Sequence, residues 1–116
     1  MKIVLGDKNL QIRLNPLEKV GAAKGSIMIS YSDVVSAFSE KPISPSGMKL
    51  VGTSLPGMLE LGTYLAGTQK EFWYTKKGKN NFLVLVLKSN FYSRVIIETE
   101  NSEELSQEIT DKLEKI

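Results

Sequence analysis

The stretch that decides the fold is Met58-Leu59-Glu60-Leu61-Gly62-Thr63-Tyr64-Leu65-Ala66, followed by Lys70-Glu71-Phe72-Trp73-Tyr74-Thr75-Lys76, by Asn81-Phe82-Leu83-Val84-Leu85-Val86-Leu87-Lys88, and by Tyr92-Ser93-Arg94-Val95-Ile96-Ile97-Glu98-Thr99. β-branched, aromatic and leucine residues dominate each run, and each is too short for a typical helix. The breaks at Gly67-Thr68, Lys77-Gly78-Lys79-Asn80 and Ser89-Asn90 have hairpin length and offer Gly or Asn for positive φ. The pattern therefore predicts four strands in an antiparallel meander. In the last of them Phe91, Ser93, Val95, Ile97 and Thr99 are expected on the core face, with Tyr92, Arg94 and Glu98 directed outward. Trp73 lies on the face opposite Phe72 and Tyr74, so at least one of these rings is expected to be partly exposed.

Working toward the N-terminus, residues 42–57 hold Pro42, Pro45, Pro56, Gly47, Gly52 and Gly57. That density predicts a long loop with one short extended piece at Met48–Val51. Its apolar residues divide into a packed strap, Leu50 and Val51, and a candidate partner contact, Ile43 and Met48. Before it, Val34–Phe38 and Ser26–Ser30 read as strands. Lys2–Leu5 and Asn9–Leu14 form a hairpin about Gly6-Asp7, with Leu10, Ile12 and Leu14 alternating against Gln11 and Arg13. Asn15-Pro16-Leu17-Glu18 predicts a helix start with a capping box, ended by Gly21 and Gly25. Toward the C-terminus, Asn101 and Glu104 predict a second capping box, and Leu105, Ile109, Leu113 and Ile116 fall on one helical stripe. Glu108–Lys112 and Asp111–Lys115 are spaced for i,i+4 pairs on its wet side.

At 116 residues the chain suits one domain, 1–116, with 41% hydrophobic and 24% charged residues, an ordinary globular balance. It has neither Cys nor His, which removes disulfides, thiolate nucleophiles, the usual zinc ligands and every His-based triad. Asp7, Asp33, Glu60, Glu71 and Glu98 are the acid–base candidates left, and they form no recognisable pair. Gly52-Thr53-Ser54-Leu55-Pro56-Gly57 lacks the Gly-Lys-Ser/Thr of a phosphate loop, so no cofactor, metal or catalytic residue is assigned. The longest apolar run, Phe82–Leu87, has six residues, and no signal peptide is recognisable, so a soluble, cytoplasmic protein is expected.

The net charge is +2, too mild for a nucleic-acid protein, which also counts against a stacking platform built on Trp73, Tyr92 and Arg94. Charge is nevertheless uneven. Residues 69–100 carry six basic against three acidic side chains, and residues 101–116 two against five. Lys76, Lys77 and Lys79 make the densest basic turn, a candidate contact for an anionic membrane surface.

The residues Gly52-Thr53, Pro56-Gly57, Gly62-Thr63-Tyr64, Glu71-Phe72-Trp73, Leu83-Val84-Leu85, Tyr92–Glu98, Glu103-Glu104 and Pro16-Leu17-Glu18-Lys19 together resemble a family of bacterial PH-like (pleckstrin-homology-like) domain proteins, mostly uncharacterised. The resemblance implies a mainly β fold with a C-terminal α-helix. That fold is a bent antiparallel sandwich, or partly open barrel, of about seven strands with the helix plugging one end. The first hairpin, Gly6-Asp7-Lys8, lacks the basic motif of lipid-binding PH domains, so the resemblance does not carry phosphoinositide binding to this chain. The expected function is a non-catalytic interaction module that binds a protein or peptide, or associates with itself, through a sheet edge or the long loop. The alternatives are peripheral membrane binding through Lys76–Lys79 and a small-ligand site in the barrel mouth.

Overall fold

A computed structural model of the chain describes residues 1–22, 25–41, 43, 45, 47–55, 58–76 and 80–115. Two antiparallel strands, β1 (Lys2–Leu5) and β2 (Asn9–Arg13), turn at Gly6 and are joined by β3 (Ile27–Ser30) into a three-stranded sheet in the order β1-β2-β3. Between β2 and β3 lies α1 (Pro16–Ala22). Its capping box forms in both directions: Asn15 Oδ1 accepts from the Glu18 amide and Glu18 Oε1 from the Asn15 amide, each at 2.8 Å. Reaching back to Asn15 aims Glu18 inward, where the Met1 amino group and the Tyr74 hydroxyl also donate to it.

A 3₁₀ turn at Tyr31–Asp33 leads into β4 (Val34–Glu40) and then β5 (Met48–Leu55), β6 (Leu59–Ala66), β7 (Gln69–Lys76), β8 (Phe82–Leu87) and β9 (Arg94–Glu98). These six form a second sheet in the order β4-β8-β9-β7-β6-β5. The closing helix, α2 (Ser102–Glu114), packs on β4 and β8. The protein is thus mainly β, a sandwich capped by its C-terminal helix and not closed as a barrel. It has nine strands among the described residues where about seven were expected.

The main core lies between the sheets and under α2. Leu10, Ile12 and Ile29 of the small sheet meet Phe72, Leu85 and Ile97 of the large one, and Ile109 seals the end. A second cluster, Tyr64, Trp73, Phe82, Val84 and Ile96, occupies the opposite face of the large sheet. There the Trp73 ring meets Tyr64 and Phe82 edge-on, at centroid distances of 6.5 and 6.3 Å.

The structure corrects several expectations. Strands β6 to β9 are not a meander, because β9 is inserted between β7 and β8. It runs parallel to β7 (Phe72 opposite Val95, Trp73 opposite Ile96) and antiparallel to β8. β7, ending at Lys76, and β8, starting at Phe82, therefore stand on either side of β9, two inter-strand gaps or roughly 10 Å apart. Glu98 on β9 accepts from the amides of both Lys76 (2.7 Å) and Asn80 (3.3 Å). With β7 and β9 central, both of their faces are covered, so Trp73, Phe72 and Tyr74 are all buried and Tyr92 and Glu98 are buried too, while Phe91 is exposed. In the turn after β8 it is Ser89, with φ 52°, that adopts the left-handed conformation, not a Gly or Asn.

The expected loop at residues 42–57 is half strand. β5 pairs with β6 along its length, with a register shift that leaves Leu50 as the extra residue. Glycine there marks a close approach and not a loop: Gly52 (φ 129°) faces Gly62 (φ 146°) across the two strands. A Cβ at Gly52 would sit 2.2 Å from the Leu61 carbonyl oxygen, and one at Gly62 2.2 Å from that of Val51.

On α2, Leu105 and Ile109 are buried and Leu113 is partly buried, as the stripe predicts; Ile116 lies outside the described residues. The second capping box does not form, because Asn101 Oδ1 accepts from the Thr99 hydroxyl (2.8 Å) and makes no cap to the helix. Neither expected ion pair forms on the wet side. Lys112 lies over the Tyr31 ring, 5.9 Å from its centroid, and Asp111 accepts from Gln107.

Candidate functional site

The large sheet has two edges, β4 and β5. α2 lies against β4, and the Thr110 hydroxyl reaches the Ala37 carbonyl oxygen at 3.5 Å. Among the described residues β5 pairs on one side only, with β6, so its other side presents backbone N–H and C=O groups. Residues directly opposite each other in register share a face. Thr53 stands opposite core residue Leu61, so Thr53, Val51 (opposite Thr63) and Leu55 (opposite Leu59) point toward the side where α1 lies. Thr53 confirms this by donating to the Gly21 carbonyl oxygen of α1 at 2.8 Å.

Val51 and Leu55 nevertheless remain about half exposed, as does Leu50. Leu50 and Val51 are therefore not a packed strap. Met48, at the start of β5, is 66% exposed, and Ile43, in the segment between β4 and β5, is 38% exposed. Both candidate contact residues are thus accessible, Met48 on the edge strand itself. α1 adds two apolar residues that the sequence pattern did not single out. Glu18 and Ala22 face inward, which turns Leu17 (85% exposed) and Val20 (81%) to the outside, and Met58 follows β5 with its side chain exposed. The sequence marked neither Leu17 nor Val20, since the capping box fixes where the helix starts and not which of its sides meets the sheet.

The basic turn is only partly in view. Lys76 ends β7 with its ammonium 5.5 Å from the Tyr74 ring centroid, whereas Lys77 and Lys79 lie outside the described residues. Among the acid–base candidates, Glu71 and Glu98 are buried and not strand-surface residues. Glu71 is held by Arg94 Nε (2.6 Å) and Trp73 Nε1 (3.0 Å), so Arg94 is spent on an ion pair. Glu60 accepts from Ser54 Oγ (2.7 Å) and from the Tyr64 hydroxyl. Glu60, Glu71 and Glu98 are thus occupied in structural bonds, Asp33 accepts from Asn90 at 3.5 Å and Asp7 is exposed, and among the described residues no group of three or more acidic side chains is placed to hold a metal ion.

These bonds set a pH dependence. Burial, reinforced by Glu60, pushes the Tyr64 hydroxyl up to about 12, and burial with Glu18 raises Tyr74 further. In Glu18, burial acts to raise the pKa, but the Met1 ammonium, Tyr74 and the Asn15 amide outweigh it and hold the carboxyl below its ordinary range. For the tyrosines, the unfolded chain releases protons near pH 10 while the folded chain keeps them. Their stabilisation is present below about pH 10 and is lost as pH rises through about 12. Thermal melts should show Tm falling over that window, less steeply in Tyr64→Phe; equal slopes would contradict the assignment.

Comparison with known proteins returns no matching family model, no matching curated protein and no matching solved structure. Among the described residues no helix is long and apolar enough to cross a membrane.

Proposed function

We propose that this chain is a non-catalytic, PH-like interaction module that takes an extended apolar segment of a protein partner onto the free edge of β5. One observation carries it: an edge strand with an open hydrogen-bonding side presents Met48, Leu50, Val51 and Leu55 exposed, beside a helix whose outer residues are Leu17 and Val20. An added strand gains backbone hydrogen bonds from the edge and specificity from pockets for alternate side chains. The single charge on β5, Lys49, leaves the selection to apolar contacts.

The test is selection of binding peptides from a displayed library of random sequences, followed by hydrogen exchange with the selected peptides bound. Protection should rise at amides 48–55, and Val51→Lys should weaken binding by tenfold or more, the scale of one lost apolar anchor (about 1.4 kcal/mol or more). Protection confined to other strands would remove the proposal. Protection of 48–55 that grows with protein concentration in the absence of peptide would identify a second copy as the occupant.

A further inference from the structure

The outer face of the three-stranded sheet carries a cleft of about 290 Å³ between β2, β3 and α1, lined among others by Gln11, Arg13, Lys19, Ser26 and Met28. Its polar groups form a set of donors. Arg13 Nε donates to Gln11 Oε1 at 2.9 Å, and since a guanidinium can only donate, this leaves the Gln11 amide NH₂ and the terminal NH₂ groups of Arg13 for another molecule. Ser26 Oγ accepts from the Leu14 amide at 3.2 Å, so its own hydrogen remains to be given. Lys19 is exposed, and no carboxylate lines the cleft.

Among the described residues no ion pair compensates the charge beside the cleft. Lys2 on β1 stands directly opposite Arg13 on β2, both exposed, a like-charge pairing that works against the sheet unless an anion sits near it. The carboxylate that α1 could have offered, Glu18, is turned into the core and bonded there. A second cleft of about 340 Å³ shares Ser26, Ile27 and Met28 with the first and continues to Asn90, Phe91 and Tyr92. At that end Phe91 is exposed, with the Lys70 ammonium 4.5 Å from its ring centroid. The two clefts adjoin at Ser26, Ile27 and Met28 of β3, the first lined by cations and the second bordered by the Phe91 ring.

We propose that these adjoining clefts bind a phosphomonoester carried on an apolar or aromatic body, with the phosphate at Arg13 and Lys19 and the body lying over Met28 toward Phe91. A dianion matches the two lining cations, with Lys2 beside them, better than a carboxylate does, and the forked guanidinium suits two phosphate oxygens. The inference is independent of the β5 edge, which belongs to the other sheet.

Titration of isotopically labelled protein with phenyl phosphate, followed by amide chemical shifts, tests it. Saturable shifts are expected at residues 11–14, 26–28 and 90–92. The double variant Arg13→Ala/Lys19→Ala should bind at least tenfold more weakly, since a charge-assisted hydrogen bond is worth roughly 1.5–3 kcal/mol. Phe91→Ala should weaken phenyl phosphate but not inorganic phosphate, and Lys49→Ala on β5 should change neither. Arg13, Lys19 and Phe91 are exposed, so their variants keep the fold, which circular dichroism checks. Phosphatidylcholine vesicles with and without phosphatidic acid supply the second arm. Arg13/Lys19-dependent binding to phenyl phosphate assigns a soluble phosphomonoester, and the same dependence on phosphatidic acid vesicles alone assigns a lipid headgroup. No saturable response in either arm up to about 10 mM, a range that reaches even weak millimolar sites, would overturn the inference. So would binding that the double variant leaves unchanged.

Discussion

Gly62→Ala is expected to lower the stability of the fold by roughly 3 kcal/mol or more, the sum of left-handed backbone strain and overpacking against a fixed neighbour. At Gly62 φ is 146°, and a Cβ would approach the Val51 carbonyl oxygen to 2.2 Å and the Gly52 Cα to 2.8 Å. Both are backbone atoms, so no side chain can rotate away and the strands themselves must part. The reciprocal contact at Gly52 makes Gly52→Ala comparably damaging. Equilibrium denaturation should show the loss, with a fall in Tm of roughly 10 °C or more. A shift within about 2 °C would mean that β5 and β6 separate at that point without cost.

Removing residues 101–116 should abolish cooperative unfolding. Leu105, Ile109 and Leu113 of α2 cover β4 and β8 at the end of the main core, and Ile109 has no exposed surface. Burying three aliphatic side chains is worth about 5–9 kcal/mol before entropy, a large part of the 5–15 kcal/mol that holds a domain together. Loss of the helix also uncovers the apolar side of β8, so the truncated chain should bind a hydrophobic dye and melt without a sharp transition. Ile109→Asp places an unpaired carboxylate in the same position and should reproduce the effect in the full-length chain. A truncated form that melts as sharply and as high as the intact protein would show that the sheets hold together without the helix.

What the sequence made legible follows the range of the interactions involved. The box of Asn15 and Glu18 and the stripe of Leu105 and Ile109 are written within a few residues, and both are present. The cap at Asn101 has the same local signature but fails because Thr99, two residues earlier, offers its side chain a competing partner. The strands of the large sheet were legible one by one, whereas their order was not. A short sequence between two strands looks the same whether they pair as a hairpin or flank a third strand, and the difference lies in the long-range pairing of β9 with both, where buried Glu98 accepts from the Lys76 and Asn80 amides. Counting Pro and Gly hid β5, since Gly52 serves the close crossing with Gly62. Of the candidate contact residues, Met48 and Ile43 were legible as apolar residues without an evident core to enter. Leu17 and Val20 were not, because which side of a short helix faces the core depends on the sheet it packs against.

The insertion of β9 also governs how the chain reaches this state. Until residues 94–98 are in place, β7 and β8 have no ladder to share, and the large sheet exists as two separate pieces, β5-β6-β7 and the long-range pair β4-β8. Both inner edges of those pieces are apolar and unpaired, the condition that favours association between chains. β9 is a keystone translated late, so the nascent protein emerges from the ribosome with its most adhesive strands waiting for it. Folding should therefore be slow for the chain's size, limited by the joining of the two halves, and most vulnerable to chaperone capture just before that strand arrives.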